Sequence, residues 1–316
     1  MIQVFKNTNG TLAQIEEREK GSWIKVTSPT QEEVAGLSKE LNIPLSFLMD
    51  PLDVDERARV EKDDGYTLAV IRVPYFDEKN AKVPFSTLPL GIILNSERII
   101  TVCGRDTEVL LDFLVGKIKN FSIEHRVRFL IQIFLRVSLL YLKYLRQINT
   151  MTEHVERELQ KALKNVELIK LLDIEKSLVF FITSLKSNEI MMDRLFRTNI
   201  IAIDEDSKEL LDSKELLEDV IIETRQAIEM ANIYSSIESG MMDAFASVIS
   251  NNLNVVMKFL TSVTIILMLP TLVASVYGMN VPLPFQRSPH AFLIVVGFSF
   301  LLSVLGVVIF IKRRYF

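Results

Sequence analysis

Four residues, Tyr277-Gly278-Met279-Asn280, interrupt the most apolar part of the chain. Glycine there can end a helix at little steric cost. A helix end leaves backbone carbonyls unpaired, and such oxygens suit a cation. Asn280 adds a neutral amide oxygen, and no carboxylate lies between Phe259 and Ile311. Repeated around a ring, neutral oxygens would accept hydrogen bonds from the waters of a hydrated cation. Mg²⁺ is the common ion that sheds its water most reluctantly. The competing reading of Gly278, Met279 and Asn280 is an ordinary helix stop and turn.

A second set of residues leads up to that motif. Alternating steps of four and three give Asp243, Ser247, Ser250, Asn254, Met257, Thr261, Thr264, Met268, Thr271 and Ser275. These share one helix face and are mostly polar or polarizable, whereas Leu253, Phe259, Ile265, Ile266, Leu269 and Leu272 between them are apolar. Inside a bilayer a polar seam must meet protein or water. It either lines a water-filled path, or bonds back to its own helix and glues helices together. The length of the stripe, beginning at an aspartate, favours a pore wall. Two helices cannot enclose such a path, so several copies of the chain are required.

The elements that carry these residues follow from charge and periodicity. No charged side chain occurs from Phe259 to Gln286 or from Ala291 to Ile311. Each run holds about 20 apolar residues, enough for a helix to cross a bilayer, with spans expected near 257–277 and 291–311. The second span has only Ser299 and Ser303 as polar side chains, with Gly297 and Gly306, and reads as the outer, lipid-facing helix. The start, MIQVFKNTNG, is too polar for a signal peptide. The Lys312-Arg313-Arg314 cluster favours a cytoplasmic carboxyl end. With two spans, both termini are expected in the cytoplasm, in a plasma (inner) membrane.

Composition narrows the chemistry. The 316 residues are 49% apolar with a formal charge of −4. A mildly acidic soluble part argues against nucleic acid as a partner. The single cysteine, Cys103, excludes an intrachain disulfide, and His125, His154 and His290 lack zinc-ligand spacing. No Walker loop, Gly-x-Gly-x-x-Gly or Gly-x-Ser-x-Gly is present. Neither an enzyme nor an organic cofactor is expected.

The predicted fold is a membrane protein with an α/β (α+β) cytoplasmic domain over 1–120. A cytoplasmic helical region follows over 121–250, then a transmembrane domain over 251–316. Strands are expected at TLAQIE (11–16), SWIKV (22–26), YTLAVIRVPYF (66–76), LPLGIIL (88–94) and RIITVCG (98–104), with a hairpin at Asn95-Ser96-Glu97. Ser28-Pro29-Thr30-Gln31 reads as a helix start with proline at the first helical position. Asp106 or Thr107 would cap a helix running to about Lys119. From Ile123 to Asn199 apolar residues recur at helical spacing. The run FLIQIFLRVSLLYLKYL is broken by Arg128, Gln132, Arg136, Lys143 and Arg146 and so reads as amphipathic. TNIIAIDEDS (198–207) reads as a turn, with Asp206 and Glu209 as a capping-box variant. The next helix meets no clear stop until Tyr277-Gly278 and would be roughly 105 Å long at 1.5 Å per residue.

With its Tyr-Gly-Met-Asn motif closing the first of two carboxy-terminal spans, its basic tail and its large amino-terminal soluble domain, the chain resembles the CorA family of divalent-cation transporters. The segment 250–261, SNNLNVVMKFLT, resembles the start of that family's pore helix. The resemblance implies a homopentamer that moves Mg²⁺ passively, with the Gly-Met-Asn loop selecting the hydrated ion. It implies that Asn254 is a pore asparagine, that Met257, Leu260 and Met268 form an apolar constriction, and that Thr271 is a polar pore position. Asp243 would form an acidic ring. Leu260 is one position off the stripe, so Leu260 and Thr261 compete for one layer. The resemblance further implies regulatory Mg²⁺ between cytoplasmic domains, held by Asp219 and Asp77. Two features depart from the family. Ser275 stands where a relative has glycine, and the loop 281–290 lacks the acidic residue that many members carry. The alternatives are transport of Zn²⁺, Co²⁺ or Ni²⁺ by a member of the same family, and a membrane-anchored helical scaffold without transport.

Overall fold

The computed structural model describes all residues except 9–10, 78–82, 119–120, 122, 162–164, 199–206, 285–287 and 314–316. It comprises two compact units, Met1–Gly240 and Met241–Phe316. Among its described residues the first unit has seven strands: β1 (Ile2–Thr8), β2 (Thr11–Ile15), β3 (Trp23–Thr27), β4 (Arg59–Asp63), β5 (Tyr66–Phe76), β6 (Phe85–Leu94) and β7 (Ile99–Cys103). They form one sheet in the order β2-β1-β3-β7-β6-β5-β4. Among the described residues only β3 and β7 pair in parallel, with Trp23 opposite Ile99. The other neighbours are antiparallel, including β5 and β6, which pair from Thr67–Leu94 to Phe76–Phe85.

Successive side chains of a strand point to opposite faces, and here both faces are covered. On one side Ile24, Val26, Leu68, Val70, Ile93 and Val102 pack with Val34 and Leu37 of α1 (Gln31–Leu41) and with Phe47 and Leu48 of α2 (Leu45–Met49). On the other side lie α4 (Arg126–Lys161) and α5 (Asn165–Thr198), with α3 (Glu108–Leu114) beside them. Phe129 of α4 meets Trp23 edge-on at 5.2 Å, and Phe181 of α5 meets Phe85 at 6.2 Å. Residue Tyr141, well before the α4–α5 junction, meets Phe181, well after it, edge-on at 5.0 Å. The two helices therefore run antiparallel. Each such fully buried side chain contributes roughly 1.5–3 kcal/mol. The sheet is also closely approached at Gly91 of β6, where a Cβ would lie 2.3 Å from Pro51 Cγ.

The predicted strands and the amphipathic reading of 123–199 are borne out. Val127, Leu130, Ile131, Phe134, Leu145, Ile148, Val155 and Leu159 are all buried. Arg136 and Lys143, which break the apolar run, pair with Asp112 and Glu108. The hairpin at Asn95 also forms, its side-chain oxygen accepting the amides of Glu97 and Arg98 at 2.9 Å each. Two local expectations are corrected. Pro29 is not the first helical residue: Thr30 caps α1, accepting the Glu33 amide at 3.2 Å while Glu33 accepts the Thr30 amide at 2.9 Å. That reciprocal box outcompetes Ser28, whose hydroxyl instead donates to the Gly104 carbonyl at 2.6 Å. Thr107 caps α3, but the helix stops at Leu114, ahead of Gly116 at φ 69, well short of Lys119. Asp106, the other cap candidate, holds buried Lys25 at 2.5 Å. Strands β1 and β4 were not anticipated, because their alternation is diluted by Lys, Asn, Glu and Asp. The turn at 198–207 and the cap at Asp206–Glu209 lie outside the described residues and side chains.

Helix α6 (Ser207–Tyr277) is continuous over 71 residues, with Pro270 inside it. Helix α7 (Ala291–Lys312) follows. The first part of α6 belongs to the first unit; the remainder, with α7, forms the second.

Candidate functional site

Among the described residues two helices, α6 and α7, are long and apolar enough to cross a membrane. Within the second unit they pack on a narrow seam. At Gly306 of α7 the two helices are in contact range, since a Cβ there would meet Leu269 Cδ1 at 3.4 Å and Ile266 Cγ1 at 3.6 Å, ordinary van der Waals distances. Ser262 and Val273, on the same face of α6 as Ile266 and Leu269, are buried. Ser299 and Ser303 of α7 are half-buried, and their hydroxyls donate to the carbonyls of Val295 and Ser299 at 2.8 and 3.0 Å. Gly297 has no atom of the described residues within 4 Å of where a Cβ would stand.

The polar stripe occupies the opposite side of α6. Thr264, Met268, Thr271 and Ser275 each follow a seam residue (Ser262, Ile266, Leu269, Val273) by two positions. At 100° per residue that is about 200° of rotation. Asp243, Ser247, Ser250, Asn254, Met257, Leu260, Thr261, Thr264, Met268, Thr271 and Ser275 are all exposed in the single chain. Leu260 and Thr261 flank the centre line of the stripe on either side, each by about 50°.

The stripe hydroxyls are not idle. Thr264 donates to the Leu260 carbonyl at 2.8 Å and Thr271 to the Leu267 carbonyl at 3.0 Å. Each hydroxyl proton is therefore spent on its own helix, while the oxygen keeps lone pairs for an outside donor. This back-bonding was one of the two readings the sequence left open. It leaves the exposed face rich in acceptors.

At the end of α6 the Gly278 amide donates to the carbonyls of Ala274 at 2.9 Å and Ser275 at 3.2 Å, and the Met279 amide to Val276 at 3.2 Å. Gly278 is not among the glycines of positive φ, so a left-handed backbone is not the reason for glycine here. A Cβ would stand 3.4 Å from the Ala274 oxygen and 3.5 Å from that of Ser275, ordinary van der Waals distances. The Tyr277 hydroxyl donates to the Pro284 carbonyl at 3.2 Å and ties the loop back to the helix end. Sequence reasoning missed this clasp; the only signal was a tyrosine seven residues before a proline-rich turn. Met279 and Asn280 are exposed.

The two regulatory candidates sit on different elements of the first unit. Asp77 follows β5 and has Arg105 at 3.7 Å, whose guanidinium also stacks over Tyr75 at 4.5 Å. Asp219 is exposed on α6. Among the described residues no group of three or more His, Cys, Asp or Glu side chains could hold a metal within one chain.

The family model of the CorA-like Mg²⁺ transporter protein matches residues 18–313. The chain belongs to the CorA family. The cobalt/magnesium transport protein CorA of Methanocaldococcus jannaschii is 29% identical over 294 residues, covering 91% of this chain and 89% of that protein. The CorA of Thermotoga maritima carrying the same name is 24% identical over 304 residues, covering 93% and 83%. The complete structure of the CorA magnesium transporter from M. jannaschii superposes with a TM-score of 0.85 at 25% identity, covering 100% of this chain and 99% of that one. Full-length CmaX shares the fold, with a TM-score of 0.69 at 15% identity. These CorA relatives are membrane transport proteins rather than enzymes, and the sheet domain, long helices and two terminal apolar helices are common to the CorA architecture.

Proposed function

We propose that this CorA chain is a passive Mg²⁺ channel, a homopentamer in the plasma (inner) membrane with both termini cytoplasmic. The observation that carries this reading is the placement of the polar stripe about 200° around α6 from the α7 seam. With α7 on the outside, the stripe is the face left to meet other copies around an axis. Back-bonded Thr264 and Thr271 offer acceptor oxygens to water, and water carries the cation, so the ion need not shed its shell. Met257, Met268 and the layer of Leu260 or Thr261 narrow the path, where a dry constriction can gate by dewetting. An Asp243 ring concentrates cations at the inner end. Gly278, Met279 and Asn280 form the outer ring, with the Tyr277 clasp holding each loop in position.

Cytoplasmic Mg²⁺ regulates the pathway by bridging Asp219 of one subunit to an acid of its neighbour. Asp77 is the candidate for that acid, but a bound ion must compete there with Arg105. Occupied sites neutralise carboxylate repulsion and favour the closed state; empty sites let the subunits part.

Flux into liposomes loaded with a metal-sensitive dye, comparing Mg²⁺, Co²⁺ and Zn²⁺, tests the reading. Mg²⁺ entry through the reconstituted oligomer is expected. The relatives' names make Co²⁺ the first rival ion. No flux of any ion from a folded oligomer would leave the scaffold reading in its place.

A further inference from the structure

One buried acid takes no part in the proposed pathway. Glu238 lies on α6, fully buried at 0% exposure, with neither carboxylate oxygen hydrogen-bonded among the described residues. Such a group is expensive to bury ionised without a partner. The nearest basic resource on the same helix, Arg225, is committed to Glu189 at 2.6 Å and Asp193 at 3.5 Å. The one charge that acts on Glu238 is that of Glu175 on α5, which is also negative; α4 and α6 itself contribute none among the described residues. Burial first, and Glu175 second, push the Glu238 carboxyl up to about 8.

We propose that Glu238 is a proton switch in α6: the α5–α6 seam packs over it most favourably while it holds a proton, and loss of that proton moves the balance toward an opened, hydrated seam. In the packed state the proton is held up to about 8; in the hydrated state it is held only below the ordinary carboxylate value of 4.5. The packed state binds more protons, so its advantage is complete below 4.5 and shrinks as pH rises, levelling off above about 8. The loss approaches roughly tenfold in the packing equilibrium per pH unit within that window. Alkaline conditions on that side of the membrane therefore favour the opened seam. Because α6 also carries the stripe from Asp243 onward, proton occupancy would bias transport. That consequence rests on the transport reading; the packing switch does not.

Hydrogen exchange of full-length protein in liposomes, read on peptides covering 170–180 and 230–240 and corrected for intrinsic pH dependence, tests the switch from pH 6 to 9. Wild-type protection should fall across this range. Glu238→Gln, a neutral isostere, should hold protection constant, and Glu175→Gln should make the fall level off at a lower pH. A flat wild-type profile, or a Glu238→Gln profile that falls like wild type, overturns the proposal. Should Glu238→Gln fail to fold, an unchanged profile in Glu175→Gln overturns it equally. Flux measured on the same samples separates the two claims: a seam that responds to pH beside a pH-independent flux would remove the coupling to transport while the packing switch stands.

Discussion

Cysteine substitution along α6, in a Cys103→Ser background, tests which face of the helix is wet. At 100° per residue, Thr264, Met268 and Thr271 fall within about 30° of the centre line of the stripe. Thr261 lies about 50° away, Leu272 about 70°, Ile265 about 90° and Leu269 about 130°. The expected order of reaction with a small charged thiol reagent follows those angles: 264, 268 and 271 fastest, 261 intermediate, then 272, 265 and 269. Cys103 supplies a scale for the contrast. Its thiol is fully buried, and burial pushes it from 9.0 to about 11. Two units correspond to ~100-fold less thiolate at neutral pH, and the thiolate is the reactive form. A cysteine at 269, half-buried beside the α7 seam, should label more slowly than one at 264 and faster than that fully buried limit. Labelling would be followed by mass spectrometry in liposomes under transporting conditions. Rates at 265, 269 and 272 within a few-fold of those at 264, 268 and 271 would refute the assignment of the water-facing side.

Three further outcomes are expected. Asn280→Ala should abolish selective Mg²⁺ flux and leave the oligomer intact on size-exclusion chromatography, because the Gly278 amide bonds and the Tyr277 clasp do not use that side chain; unchanged flux would remove the selectivity role. Asp219→Ala should move the inhibition curve for internal Mg²⁺ to higher concentration by roughly 5–150-fold, the span of about 1–3 kcal/mol of coupling, without changing ion preference; an unshifted curve excludes Asp219 as a sensor. Gly91→Ala should destabilise the first unit by about 1–3 kcal/mol through overpacking, since its Cβ would enter the Pro51 ring; thermal unfolding at the wild-type midpoint would contradict that close approach.

Much of this CorA chain was legible without coordinates because its signals are local. Two uncharged runs identify the spans, since charge is costly in hydrocarbon whatever the packing. The strand YTLAVIRVPYF and the pattern from Val127 to Leu159 declare their period and their buried faces. The motif Gly278-Met279-Asn280 and the stripe from Asp243 to Ser275 are likewise patterns of residue type and spacing. Tertiary structure decided what depends on partners distant in sequence. Charged edge strand β4 exists because β5 offers it a ladder. Trp23 reaches Thr101 across the parallel β3–β7 pair, a register no local pattern specifies. The α7 seam, running Ser262, Ile266, Leu269 and Val273, resembles in spacing any other face of α6 until Gly306 shows which one is covered. Glu238 reads as one more surface carboxylate on a polar helix. Only packing removes its water without providing a partner, and that difference, set by three-dimensional neighbours rather than by sequence neighbours, turns an ordinary glutamate into a group that holds its proton near neutral pH.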